Sequence, residues 1–249
     1  MIPLKSKEDL DKMRKAGKIL ARIMKELQKI VTSGRSTLEI DRYAEELLRR
    51  ENVLAAFKGY RGYPATVCTS VNEEIVHGIP GERKLREGDI LSLDLGIKYE
   101  GCFSDAAVTL PVGQISSGLK KLIDVTRRAL CEGIKKADAG NHLSDISYVI
   151  QEQVEKNSFS VVRQFVGHGI GVELHEEPEI PNFGRPHQGP VLKNGMVLAI
   201  EPMVNMGGWE SLIKENGWTA VTKDGLASAH FEHTVAITET GPEILTSLN

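Results

Sequence analysis

The sequence is short of cysteine, of long apolar runs and of net charge, and each shortage closes a class of explanation. Cysteine occurs at three widely spaced positions, Cys68, Cys102 and Cys131, with no CxxC pair. That number and spacing exclude a disulfide framework and a thiolate zinc site, and they are the usage expected of reduced thiols in a cytoplasmic protein. No uncharged apolar run approaches the roughly 18 residues of a membrane span. The opening Met1-Ile-Pro-Leu-Lys-Ser-Lys lacks the apolar stretch of a secretion signal. The formal net charge is only −3 and no basic run stands out, so the footprint of a nucleic-acid binder is missing. What is present, 41% hydrophobic and 26% charged residues, is the balance of a soluble globular chain.

Patterning places helices ahead of strands, twice. Ser6 with Asp9 has the form of a capping box, followed by Leu10, Met13, Leu20, Met24, Leu27 and Val31 at helical spacing and a stop at Ser33-Gly34. Ser36 with Glu39 opens a shorter helix through Tyr43, Ala44, Leu47 and Leu48. A Gly- and aromatic-rich loop, 57–64, precedes a strand-like segment at 67–71, an interruption at 72–74 and the run Ile75-Val76-His77-Gly78-Ile79-Pro80. After a linker at 111–118, the pattern predicts helices over about 119–137 and 143–156. Strands are then expected at 161–166, 195–200 and 231–237, with a loop at 207–217.

Between these two sets lies the stretch from Gly88 to Leu110, which reads as a hairpin turning within Lys98 to Gly101. If the turn is Tyr99-Glu100, Asp94 is directly opposite Asp105; if it is Glu100-Gly101, the two are diagonal neighbours. In either register they share one face. Two like charges on an apolar face call for something positive between them, and a metal ion is the simplest candidate.

The second half repeats the first. Gly88-Asp-Ile-Leu-Ser-Leu-Asp94 lies over Gly195-Met-Val-Leu-Ala-Ile-Glu201 without a gap, and Asp105 falls on Glu232 once one residue is skipped. Val76-His77-Gly78-Ile79 echoes Gly167-His168-Gly169-Ile170. We read one domain, residues 1–249, built from two halves of about 1–113 and 114–249. If the halves face each other, Asp94, Asp105, Glu201 and Glu232 converge, and two divalent cations balance their charge. His168 adds a nitrogen donor. Such a set suits Mn²⁺, Fe²⁺ or Co²⁺ at least as well as Zn²⁺. Two ions would polarise a carbonyl and activate a water held between them. His77 and His175 remain as hydrogen-bond donors to substrate or to an oxyanion. His187 and His230 have no evident partner and read as structural, and His233 points to the strand face opposite Glu232.

With these residues assembled, the chain resembles the type I methionine aminopeptidases over nearly its whole length. The resemblance rests on Asn72-Glu-Glu-Ile-Val-His77-Gly-Ile-Pro80, Asp94 to Asp105, Gly167-His168-Gly-Ile-Gly171, His175-Glu-Glu-Pro178, Glu201-Pro-Met203 and Phe231-Glu232-His-Thr. It implies an α+β pita-bread fold, with helices packed on a curved antiparallel sheet around a dinuclear site of Co, Mn, Fe or Zn. It implies that Asp94 binds one ion, that His168 and Glu201 bind the other, and that Asp105 and Glu232 bridge. It also makes Glu201 the general base, His77 and His175 the substrate contacts, and Tyr60, Tyr63, Cys68 and Trp218 the wall of a methionine pocket. Phe57 and Leu174 depart from the commonest family pattern, where a smaller residue and an aromatic are usual, and they bear on the pocket's shape.

The activity implied is removal of the initiator methionine from nascent polypeptides with a small second residue. The expected setting is a cytoplasmic monomer acting at the ribosome, without membrane or direct nucleic-acid contact. No zinc-finger extension and no large insertion in the second half are visible, so the short bacterial-type form is expected. An X-Pro aminopeptidase or prolidase on the same fold is the first alternative; those enzymes usually carry a preceding domain. A non-catalytic relative is the second, and such relatives typically lose metal ligands.

Overall fold

Serines start three of the four helices. In the computed structural model, which describes residues 2–248, the hydroxyls of Ser6, Ser36 and Ser116 accept hydrogen bonds from the backbone N–H of Asp9, Glu39 and Leu119. In the first two caps the acidic side chain returns a bond to the serine N–H, a reciprocal capping box. The helices are α1, Lys7–Lys29; α2, Thr37–Arg50; α3, Ser117–Ile134; and α4, Leu143–Glu155. None is long and apolar enough to cross a membrane.

The helices cover one face of a nine-stranded antiparallel sheet. Its path runs Leu54–Ala55, Ile90–Tyr99, Cys102–Pro111, Glu232–Thr238, Val197–Ile200, Gly167–Gly169 and Glu176–Ile180; Cys68–Val71 adds to Ile90–Tyr99, and Gly241–Ile244 to Glu232–Thr238. In Ile90–Tyr99 the odd-numbered Leu91, Leu93, Leu95 and Ile97 pack with Leu20, Leu27, Ile40 and Leu47 of α1 and α2. In the other half Leu198 and Ile200 join a core with Leu122, Leu130, Ile146 and Ile150 of α3 and α4. Because side chains alternate, Asp94 and Glu201 are turned to the opposite face, away from both helix layers.

The central hairpin turns at Glu100-Gly101, both residues having positive φ (47° and 86°), as a two-residue type I′ turn demands. Asp94 is therefore paired with Ala107, and Asp105 with Gly96. The two aspartates are diagonal neighbours, the second of the two registers open from sequence.

One hydrogen-bond pattern occurs in both halves. The N–H of Gly88 donates to Val112 O and that of Gly195 to Ile237 O; Val112 N–H donates to Asp89 O and Ile237 N–H to Met196 O. Both glycines hold positive φ, 94° and 89°. These bonds make Asp94 the counterpart of Glu201, as the sequence match had it. They also make Val112 the counterpart of Ile237, which shifts the second match by two residues. Asp105 corresponds to His230, and Glu232 to Ala107. A shift of two keeps every side chain on its face, so the carboxylates still converge. His77 has no comparable tie to His168: the latter sits in a strand beside Val197–Ile200, whereas His77 follows the strand Glu74–Val76 of a separate sheet.

That separate sheet comprises Ser211–Ile213, Ala220–Thr222 and Glu74–Val76. The segment 207–217, expected as a loop, therefore contains a strand, three residues long and flanked by glycines, too short for alternation to announce it. Conversely, of the strand expected at 161–166 only Val161 lies in a paired strand, Ser160–Val161 against Met203–Asn205, with one further bond from Val162 N–H to Met203 O. Gln164, Phe165 and Val166, outside that pairing, line the cleft described next.

Candidate active site

His168 is held by the strands around it. Its neighbours Gly167 and Gly169 are glycines because a Cβ would overlap the carbonyl oxygen of Ala199 at the first and of Glu177 at the second. The small residues thus admit the flanking backbones rather than a ligand. The ring is fixed by its Nδ1–H, which donates to Gly169 O at 2.9 Å. That leaves Nε2 as the lone-pair nitrogen, the tautomer a metal-binding imidazole needs, and it faces Glu201 Oε1 at 3.6 Å.

The acidic side chains meet there. Ligand atoms of Asp105, His168 and Glu232 all lie within 4.8 Å of one another. Thr234 locks the backbone under Asp105: its hydroxyl accepts from Asp105 N–H at 2.9 Å and donates to Asp105 O at 2.8 Å. Thr109, the counterpart of Thr234, makes the same pair of bonds to His230, both at 2.8 Å. Asp94 Oδ1 and Glu232 Oε1 are buried with no hydrogen-bond partner among the described residues.

Burial pushes the carboxyls of Asp94, Glu201 and Glu232 well above the ordinary carboxylate range, and repulsion from Asp105 adds to it at each. The same desolvation raises Asp105 to about 7, against an opposing hydrogen bond from Ala106 N–H. Burial drives His168 down to about 3. A site that both resists carboxylate charge and keeps its imidazole neutral is complete only with a cation. Four oxygen-donor side chains with one nitrogen fit a divalent ion of the Mn, Fe, Co or Zn class.

All eleven residues singled out from sequence line one cleft of about 290 Å³: Tyr60, Tyr63, Cys68, His77, Asp94, Asp105, His168, His175, Glu201, Trp218 and Glu232. Phe57 and Leu174 line it too, with Phe165, Gln164 and Met203, which sequence reasoning did not assign. His77 enters at positive φ (58°), its ring edge-on to Phe165 and Trp218 at centroid distances of 5.5 and 6.4 Å. His175 Nδ1 is 2.8 Å from the Tyr60 hydroxyl, and its ring centroid is 4.2 Å from that of His168. Burial lowers both imidazoles, His77 to about 4, so at neutral pH each is an uncharged donor. Tyr63 is nearly enclosed; its hydroxyl donates to Gly78 O at 3.0 Å, bracing the backbone beside His77.

Beside the acidic side chains a further residue escaped the sequence reading. His230, left as structural, puts Nε2 3.4 Å from Glu201 Oε2. The signal was available: two residues before Glu232, it falls on the same face by strand alternation.

The family model described as metallopeptidase family M24 matches residues 11–239. The chain belongs to metallopeptidase family M24. Within M24 it groups with the methionine aminopeptidases: that of Clostridium perfringens is 53% identical over 246 residues, 99% of each chain. The crystal structure of methionine aminopeptidase from Thermotoga maritima superposes with a TM-score of 0.97 at 49% identity, covering 99% of this chain and 100% of that one. A prolidase from Pyrococcus horikoshii superposes at TM-score 0.78 with 21% identity, over 99% of this chain and 64% of its own, a likeness of fold alone. The pita-bread fold expected from sequence is thus the observed one, that of family M24, and divalent-metal use is part of the family's chemistry.

Proposed function

We propose that this chain is a metal-dependent aminopeptidase that removes the N-terminal methionine from polypeptides with a small second residue. The observation that carries the reading is the join of two things in one cleft: an acidic floor with a lone-pair imidazole, and a wall of aromatic rings and a thiol. Sulfur and ring faces attract one another, so Tyr60, Tyr63, Cys68 and Trp218, with Phe57 and Phe165, suit a thioether side chain.

Asp94, Asp105, His168, Glu201 and Glu232 would hold two divalent ions, of cobalt, manganese, iron or zinc. Bound there, such ions supply Lewis-acid polarisation of a carbonyl and a lowered pKa for water. The chain's own groups do the rest. Glu201, its carboxylate ionised once the cations are bound, takes the proton from the attacking water. His77 and His175, neutral at working pH, donate N–H bonds to the scissile carbonyl as negative charge develops on its oxygen. The closed wall excludes longer or charged side chains and leaves the free amine at the acidic end, which confines cleavage to the terminus.

On the same reading the whole chain is a single catalytic domain of two related halves. It works as a monomer in the cytoplasm, on nascent chains at the ribosome.

The test is methionine release from Met-Ala-Ser by metal-stripped protein with Mn²⁺, Fe²⁺, Co²⁺ or Zn²⁺ restored, beside Glu201→Ala and an X-Pro peptide. Metal-dependent release, lost in Glu201→Ala and absent on X-Pro, is the expected result. Faster cleavage of X-Pro, or no release from folded protein with any metal, would overturn it.

A further inference from the structure

Lys5 and Glu176 form an ion pair whose side chains are only 6% and 7% exposed. Every other lysine or arginine ion pair among the described residues leaves its cation at least 31% exposed. A buried pair seldom recovers its desolvation cost as stability, so the placement points to a geometric role.

The pair ties together three pieces of backbone. Lys5 N–H donates to Gly195 O at 2.7 Å, fixing the segment before α1 on the start of the Glu201 strand. The other Glu176 oxygen accepts the N–H groups of Val172 and Glu173, at 2.8 and 3.2 Å, and so closes the turn between Gly171 and Glu176. A Cβ at Gly171 would overlap the Lys5 side chain, so that glycine leaves room for the lysine. Phe103 N–H holds Gly171 O at 2.7 Å from the far side. The turn so clamped carries His175 immediately before Glu176. The strand it leads into pairs Glu176 with Gly169, next to His168.

We infer that Lys5 is a positioning residue for His175: through Glu176 it fixes the turn that aims this imidazole into the cleft. The inference rests on the reading of His175 as a substrate contact. Lys5 itself touches no reacting group.

The test uses metal-loaded full-length protein and Met-Ala-Ser. Lys5→Met is expected to lower kcat about 10- to 100-fold, the scale of misplacing a catalytic group by about 1 Å, with KM little changed. Lys5→Arg restores most of it. In a His175→Ala background, Lys5→Met adds no further loss, because the group it positions is gone. Independently of turnover, the ¹⁵N imidazole resonances of His175 move in Lys5→Met while those of His233 do not. Should Lys5→Met fail to fold because it strands a buried charge, Lys5→Met/Glu176→Gln carries the same readouts. Wild-type kcat with an unmoved His175 signal would overturn the inference, as would an equal loss of kcat with and without His175. If the wild type releases no methionine, the proposed activity fails, and the His175 resonance alone decides whether the clamp stands.

Discussion

His230 and Glu201 face each other in the interior, Nε2 to Oε2 at 3.4 Å, and neither ring nitrogen of His230 makes a hydrogen bond among the described residues. Burial keeps this histidine neutral, down to about 3, so what it can offer Glu201 across 3.4 Å is an N–H rather than a positive charge. His230 also occupies the place that Asp105 holds in the other half, braced by Thr109 as Asp105 is by Thr234. One half therefore contributes a carboxylate where the other contributes an imidazole that can steer a carboxylate.

Groups that orient a metal ligand typically change affinity or activity by about 10- to 100-fold when removed. His230→Ala is expected to lower kcat on Met-Ala-Ser by that amount, and His230→Gln, which keeps a donor, by less. Steady-state kinetics beside a thermal melt check it. A wild-type rate in folded His230→Ala would show that Glu201 needs no such partner.

A second prediction concerns Asp105 in metal-free protein. Its carboxyl rises from the ordinary 3.8 to about 7 through burial. The folded state therefore holds this proton more tightly than the unfolded chain. The stability it contributes is full below about pH 4 and is lost as pH rises through about 7. Asp105→Asn, neutral throughout, removes that dependence. Without metal the variant gains on the wild type as pH climbs from about 4 to about 7, the window between the unfolded and folded values, and the gap is level above it. With a divalent cation the order reverses at pH 8, because the ionised carboxylate then has its partner. Melting temperatures across pH, with and without Mn²⁺, test both arms; parallel curves in the absence of metal would contradict the argument.

Which parts of this were legible in advance follows from the range of the interaction concerned. The capping boxes at Ser6 and Ser36 are local, three residues from cap to acid, and they appear where sequence put them. Asp94 and Glu201 were matched correctly because a glycine with positive φ and an ungapped run fix both. The counterpart of Asp105 was misplaced by two residues, since alternation repeats every second residue and cannot tell Glu232 from His230. That register is set across the sheet, by backbone pairing that puts Glu232 opposite Ala107 and by the bonds of Thr109 and Thr234. Phe165 and Met203 were missed for the same reason: their place on the cleft wall depends on contacts between segments distant in sequence. Ser211–Ile213 carried too few residues to show a period.

Asp41 offers a test of how the pocket wall is anchored. Although on α2, its Oδ1 accepts the N–H groups of Thr66 and Val67, at 2.8 and 3.0 Å, just ahead of Cys68. Asp41→Ala leaves two buried donors unpaired, a cost of about 1–3 kcal/mol each at most. The expected outcome is a lower urea midpoint and a raised KM for methionyl peptides, since Tyr63 and Cys68 lie on either side of the released segment. An unchanged KM would mean that the wall is held from elsewhere.

The last prediction separates what His77 does from what its backbone costs. Its φ of 58° lies in the left-handed region, and Gly78 next to it is pressed against Thr69, whose carbonyl oxygen a Cβ would overlap. The Gly78 N–H donates to Ser70 Oγ at 3.1 Å and its carbonyl accepts from Thr69 N–H at 2.8 Å, so the chain has no room to relax. Asn tolerates this conformation and a β-branched residue does not. His77→Asn and His77→Val both remove the imidazole, and each is expected to lower kcat by about 10²- to 10³-fold, the usual loss for one oxyanion donor. Their stabilities differ: the valine variant falls below the asparagine variant by about 1–2 kcal/mol, the left-handed penalty. Chemical denaturation beside kinetics reads the two effects apart. Equal stabilities would mean that the loop relaxes out of the left-handed region once the histidine is gone, and that the imidazole itself, held between Phe165 and Trp218, maintains the strained backbone.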